Sequence, residues 1–162
     1  MEDFIRRRIE FLLEEARQPS PKLDLAVTYA FRAVWNWYAV GNSNASSKQL
    51  QSQCRYRSLS AHQQITDRSD RLSKERYADL QAEHEYPILR LWDVMRSEAN
   101  QHTSETINAI IQANPIVVVT KAEHKRIDHK LVSDRRYASA GVGVVWRNEY
   151  GDWVPRPAQP II

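Results

Sequence analysis

Apolar residues recur at helical spacing as far as Ala113, and β-branched runs replace them after that residue. Near the start, Ile5, Ile9 and Leu12 repeat with charged residues between them, which predicts an amphipathic helix that ends near Arg17. The contrast between the two regions predicts an α+β fold in which helix predominates.

A second helix is predicted between two strong boundary signals. Ser20 followed by Pro21 is typical of an N-cap and a first helical position, and Gly41 is typical of the residue that follows a helix. The segment between them is apolar on nearly every side and carries the large residues Phe31 and Trp35. We therefore expect this helix at the centre of the core.

A helix break and a further helix are indicated in the middle of the chain. Pro87 restricts Tyr86 to extended conformations, so a helix cannot run through this point. A helical stripe resumes at Leu89. Thr103 is placed to cap another helix. The dipeptide Asn114-Pro115 should end that helix.

The run from Ile116 to Thr120 has the β-branched composition of a short buried strand. Thr120 and Glu123 form a capping box, so a helix should begin directly after the strand. His124 then lies in its first turn, with Asp128 one turn further along the same face.

Glycines among β-branched residues predict a C-terminal β-hairpin at about 142–155, and the proline-rich residues 156–162 are expected to be an extended tail. The preceding chain is expected to form one domain. Its parts are a helical N-terminal part at 1–41, a basic helical region with the candidate site at 48–130, and the hairpin region at 131–155, all within residues 1–155.

Composition narrows the functional classes. The chain has 162 residues, a net charge of +3, one cysteine and four glycines. One cysteine cannot form an internal disulfide, and no glycine-rich phosphate loop is present. The first residues have no signal-peptide pattern and no apolar run reaches membrane-spanning length, so we expect a cytoplasmic protein without a membrane partner.

Positive charge is densest between residues 55 and 76, which makes this region the expected contact for a nucleic-acid backbone. Acidic residues are interleaved there, so a salt-bridged solvated surface explains the pattern equally well. The candidate phosphate-binding residues are Arg55, Arg57, Arg68, Arg71, Lys74 and Arg76.

Two stretches carry residue types suited to hydrolytic chemistry. The first is Glu83-His84 followed by Pro87, and the second runs from Asn114 through the short apolar strand to the helix that carries His124. This order resembles the pattern of the HNH nucleases, the ββα-metal class, over about residues 83–130.

The resemblance implies a metal-dependent DNA endonuclease. His84 would be the general base, Asn114 the structural asparagine of the catalytic motif, and Glu83 and His124 the metal ligands. Asp128 or His129 would supply an extra ligand. The implied cofactor is one divalent ion, Mg²⁺, Mn²⁺ or Zn²⁺, which would offset charge on the scissile phosphate.

Two alternatives remain. Arg57 and His62 have the R-x4-H spacing that resembles the signature of HEPN ribonucleases, an all-helical, metal-independent class. The chain could also be a small non-enzymatic module, of the kind found in phages or plasmids, that binds nucleic acid or protein.

Overall fold

A computed structural model describes residues 1–97 and 101–157, so residues 158–162 of the expected tail lie outside the described residues. Within these ranges the chain forms nine helices: α1 Asp3–Ala16, α2 Leu25–Val40, α3 Ser47–Gln53, α4 Leu59–Asp67, α5 Ser73–Arg76, α6 Ile88–Ser97, α7 Ser104–Ala113, α8 Lys121–His124 and α9 Arg135–Ser139. The strands are β1 Tyr56–Ser58, β2 Leu80–His84, β3 Ile116–Thr120, β4 Val144–Arg147 and β5 Trp153–Pro155. The expected α+β fold with predominant helix is confirmed.

The chain divides into two compact units, each built from two separate segments. The first, which we call the helical unit, comprises Met1–Ala45 and Tyr86–Pro115. The second, the sheet unit, comprises Ser46–Glu85 and the chain from Ile116 onward. All five strands belong to the sheet unit.

In the helical unit, α1 packs against α2, α6 and α7. The aromatic centre of this core is Phe31, whose ring lies 5.9 Å from that of Trp35 and 6.3 Å from that of Trp92. The indole of Trp35 donates a hydrogen bond of 2.9 Å to the carbonyl of Asn114. The expectation that the second predicted helix is central to the core is confirmed.

The boundaries of α2 were predicted correctly at one end only. Gly41 follows the helix with a φ of 69°, the left-handed conformation that favours glycine. The helix begins at Leu25, so the predicted start at Pro21 is wrong. The side chain of Asp24 accepts the backbone N–H of Val27 at 2.9 Å and is the N-cap that the chain uses.

The sheet unit contains one five-stranded sheet in the order β2-β3-β1-β4-β5. β1 and β3 are parallel, and the other neighbouring pairs are antiparallel. Strand β3 and the β4–β5 hairpin were predicted, whereas β1 and β2 were not. Both missed strands lie in a polar stretch without clear alternation, and they are strands because they pair with β3.

One face of the sheet is covered by the segment that follows β3. Its buried apolar cluster joins Val117 and Val119 of β3 to Ile127, Tyr137 and Val142. This cluster fixes the segment on the sheet and therefore sets the positions of the side chains beside it. None of the helices within residues 1–97 and 101–157 is long and apolar enough to cross a membrane.

Candidate functional site

The side chains of Glu83 and His84 leave β2 on opposite faces of the sheet. Glu83 is paired with Val117 and His84 with Ile116. Side chains alternate between faces along a strand, and Val117 packs against Ile127 from the segment after β3. Glu83 therefore faces that segment, and His84 faces the other side of the sheet.

The Glu83 carboxylate lies between a histidine and an arginine. Its Oε2 is 2.7 Å from Nδ1 of His124, and its Oε1 accepts a hydrogen bond of 2.7 Å from the Arg136 guanidinium. The same guanidinium nitrogen donates to Nδ1 of His129 at 3.1 Å. We call these four residues the Glu83 cluster.

Arg136, on α9, holds the carboxylate in place. Its side chain is fully buried, and its second terminal nitrogen donates to the carbonyl of His84 at 2.5 Å and lies 3.4 Å from that of Glu85. Breaking a buried ion pair by removing one partner costs about 3–5 kcal/mol, because the other charge is left without compensation. The position of Glu83 is therefore strongly determined.

The contacts of His124 select one tautomer of its neutral ring. Nδ1 carries the proton and donates to Glu83, so Nε2 is the acceptor. The side-chain amide nitrogen of Gln81 lies 3.3 Å from this Nε2 and can donate to it. A histidine oriented by a carboxylate in this way has the arrangement of a general base.

His124 and His129 form the solvent-facing side of the cluster. The side chain of His124 is 27% exposed and that of His129 is 55% exposed, against 10% for Glu83. Their rings meet edge to face, with centroids 5.1 Å apart. Both rings are therefore accessible from solvent beside a carboxylate that is largely buried.

Glu123, which precedes His124 on α8, helps to fix the position of that histidine. Burial raises the pKa of its carboxyl, but hydrogen bonds from the hydroxyl of Ser58 and from the backbone and hydroxyl of Thr120 outweigh this and lower the pKa overall. The Ser58 contact is 2.6 Å long, and the predicted capping box with Thr120 is present. An ionised Glu123 thus fixes the first turn of α8, which carries His124.

Basic residues flank the two histidines along the chain. Four basic residues between positions 121 and 130 are exposed. Each supplies a positive charge near the histidines, which favours an anionic ligand such as a phosphate. They are Lys121, Lys125, Arg126 and Lys130.

The expected metal ligands do not fit a divalent ion in this arrangement. Oε2 of Glu83 contacts His124 and Oε1 contacts Arg136, so an ion at Oε1 would displace the guanidinium from the carboxylate and leave a buried positive charge without its counter-charge. Within the described ranges, no group of three or more His, Cys, Asp or Glu side chains is arranged to hold a metal ion.

Asp128 is not placed as the sequence indicated. Helix α8 ends at His124, so Asp128 does not lie one helical turn further on the same face. Its carboxylate is exposed and accepts the backbone N–H of Lys130 at 2.8 Å, which closes a local turn.

The structure brings three of the predicted site residues together, namely Glu83, His124 and His129. Asn114 belongs to the helical unit, where its side-chain amide donates to the carbonyl of Ile110 at 2.8 Å and caps the end of α7.

Most of the expected phosphate-binding residues are engaged within the protein. Arg57 is buried, and Arg76 donates to backbone carbonyls at Arg68 and Arg71. Other members face acids, since Arg68 lies 3.5 Å from Asp79 and Arg71 lies 3.8 Å from a glutamate one turn along. Arg55 lies near a carbonyl of β4 at 3.5 Å, and Lys74 is exposed.

The R-x4-H pair has a structural explanation in this fold. The guanidinium of Arg57 lies 4.3 Å from the ring centroid of Trp153 and donates to the carbonyl of Ser52, and the ring of His62 lies 4.8 Å from that of Trp153. Burial and the Arg57 charge lower the pKa of His62. The five-stranded sheet does not match the all-helical fold that this resemblance implies.

Arg136 and Gln81 are the members of the site that the sequence did not reveal. Arg136 lies 53 positions from Glu83 along the chain, and no local pattern marks such a pair. Gln81 would have been indicated by recognising β2 as a strand, because residues two apart on a strand share a face.

Comparison with known proteins gives no relative: no family model, no curated protein and no solved structure matches this chain.

Proposed function

We propose that this protein cleaves phosphodiester bonds in nucleic acid without a metal ion, with His124 as the general base. One observation carries the proposal. The partly exposed His124 is oriented at 2.7 Å by a carboxylate that a fully buried arginine holds in place.

The chemistry follows from the ring nitrogens of His124. Nε2 accepts the proton of the attacking nucleophile once a substrate hydroxyl enters between it and the Gln81 amide. Glu83 then stabilises the imidazolium through Nδ1, and general base catalysis of this kind contributes about 10²–10⁴-fold to a rate.

Phosphate binding is assigned to the exposed side of the cluster. Because Nδ1 of His129 accepts from Arg136, its neutral ring carries the proton on Nε2 and can donate it to a phosphate oxygen. The exposed Lys125 and Lys130 add positive charge nearby. These residues replace the 55–76 region as the proposed backbone contact.

The proposed activity is the nuclease activity that the HNH resemblance implies, but different residues carry it out. The base is His124 in place of His84, and the cation beside Glu83 is Arg136 in place of a metal. A non-enzymatic nucleic-acid-binding module is the competing function, since the same basic surface would bind phosphate without cleavage.

The test is cleavage of end-labelled RNA and DNA oligonucleotides in excess chelator. We expect the wild type to cleave, and we expect His124→Ala to lose about 10²–10⁴-fold in rate while it still binds. Glu83→Gln should also lose rate, because a neutral amide stabilises an imidazolium less than a carboxylate does. Circular dichroism and salt-dependent binding serve as controls for folding and for the phosphate contacts.

Each alternative has a distinct result. Binding without cleavage of any substrate under any condition would leave the binding module. Cleavage that chelator abolishes and that added Mg²⁺, Mn²⁺ or Zn²⁺ restores would support the metal-dependent mechanism.

A further inference from the structure

We infer that the substrate of the Glu83 cluster is RNA, and that Gln81 positions the attacking 2′-hydroxyl. This inference rests on the proposed function and deepens it. It follows from what the cluster can activate and from the group that stands against the catalytic nitrogen.

The source of the nucleophile is the first reason to expect RNA. A bound metal normally lowers the pKa of water enough to generate a strong nucleophile at neutral pH. The Glu83 cluster holds a guanidinium at that position, and a guanidinium cannot coordinate water. Without metal activation of water, the favourable substrate is one that carries its own nucleophile next to the phosphate, as RNA does.

The reaction is balanced with one histidine. Nε2 of His124 takes the proton of the 2′-hydroxyl, the bond from the 2′-oxygen to phosphorus forms, and the bond from phosphorus to the 5′-oxygen breaks. The imidazolium then returns that proton to the leaving 5′-oxygen, directly or through water. The products are a 2′,3′-cyclic phosphate and a free 5′-hydroxyl, so no oxidant, reductant or metal enters the balance.

The position of Gln81 is the second reason to expect RNA. It lies two residues before Glu83 on β2, on the same face of the sheet, and its amide nitrogen is 3.3 Å from Nε2 of His124. A carboxamide offers both a donor and an acceptor, which matches a hydroxyl that must also reach the base. A 2′-hydroxyl is the group by which a protein distinguishes RNA from DNA at a given position.

Gln81 is therefore a positioning residue. Its own backbone is fixed by pairing with Val119, so a substitution at its side chain leaves the strand register intact. Gln81→Leu should lower kcat for RNA while the affinity for a 2′-O-methyl oligonucleotide, which cannot react, stays within about twofold. Gln81→Asn should recover part of kcat, because it restores the carboxamide.

The deciding experiment uses DNA oligonucleotides that carry one ribonucleotide within randomised flanks, compared with all-DNA oligonucleotides in excess chelator. We expect cleavage only on the 3′ side of the ribonucleotide, with a 2′,3′-cyclic phosphate identified by mass spectrometry. Comparable cleavage of the all-DNA pool would overturn the RNA inference and leave the proposed function standing. If neither pool nor a long mixed-sequence RNA is cleaved, the proposed function itself fails.

Discussion

The helical unit and the sheet unit bury different kinds of side chain. The helical unit fills its core with apolar and aromatic side chains such as Ile9, Phe31 and Trp92. Among the described residues, the buried charged side chains all lie in the sheet unit: Arg57, Glu83, Glu85, Glu123 and Arg136.

The difference indicates where function is to be sought. Buried charge costs free energy unless it is paired, so a core without it is the simpler way to obtain stability. A unit that keeps five acidic and basic residues in its interior has a fixed electrostatic arrangement that apolar packing cannot provide. The Glu83 cluster lies in that unit.

The largest expected effect on stability is at Arg136. Arg136→Met should lower the free energy of unfolding by about 3–5 kcal/mol, because it leaves Glu83 buried without its cation. Urea denaturation at neutral pH measures this. The double substitution with Glu83→Leu should recover part of the loss, since it removes the stranded charge.

The matched control is in the helical unit. Ile9→Ala should cost about 2–5 kcal/mol by opening a cavity. It should leave the specific cleavage rate of the folded protein unchanged. If the double substitution at Arg136 and Glu83 is no more stable than Arg136→Met alone, burial of an unpaired charge is not the cause.

A pH dependence should also separate the units. Burial raises the pKa of Glu85 to about 7, even though Arg156 donates to its carboxylate at 2.5 Å. Arg136 and Tyr137 of α9 and the charge of Asp134 complete its surroundings. No charged residue of the helical unit is buried among the described residues.

The direction of the pH dependence follows from the raised pKa of Glu85. Between the ordinary pKa of 4.5 and about 7, the folded state retains a proton on Glu85 that the unfolded state has released. Stability from this group is therefore complete at low pH and is lost as the pH rises through 7, with a limit of about 3 kcal/mol. Glu85→Gln should flatten this part of the pH profile, and an unchanged slope would show that Glu85 does not cause it.

A smaller effect compares two N-caps. Thr103 caps α7 at an exposed position in the helical unit, so Thr103→Ala should cost about 1 kcal/mol. Ser58 caps α4 in the sheet unit, is fully buried and also donates to Glu123. Ser58→Ala should cost about 1–3 kcal/mol more, because Glu123 loses a partner while it stays buried. Equal costs in thermal unfolding would contradict the role given to Glu123.

Local signals predicted much of this fold. The capping box at Thr120, the left-handed cap at Gly41 and the β-branched run of β3 each depend on residues within one turn or one strand. Strand β1 has three residues and only forms by pairing with β3 and β4. Nothing within its own sequence predicts that pairing.

The site was predicted only in part, because local signals do not identify residues that meet through the tertiary fold. The motif order suggested that Glu83 and His124 belong together, and they are in contact. It also put His84 in the same site, and the alternation of side chains along β2 places that residue on the other face. Arg136 could not be found because its pairing with Glu83 depends on the tertiary fold.

The most direct measurement compares two histidines that lie on opposite faces of the same sheet. The cleavage rates of His84→Ala and His124→Ala are measured side by side in excess chelator on a mixed-sequence RNA. We predict that His84→Ala keeps a rate near that of the wild type and that His124→Ala loses at least about 100-fold. Loss of cleavage in His84→Ala together with a normal rate in His124→Ala would contradict it.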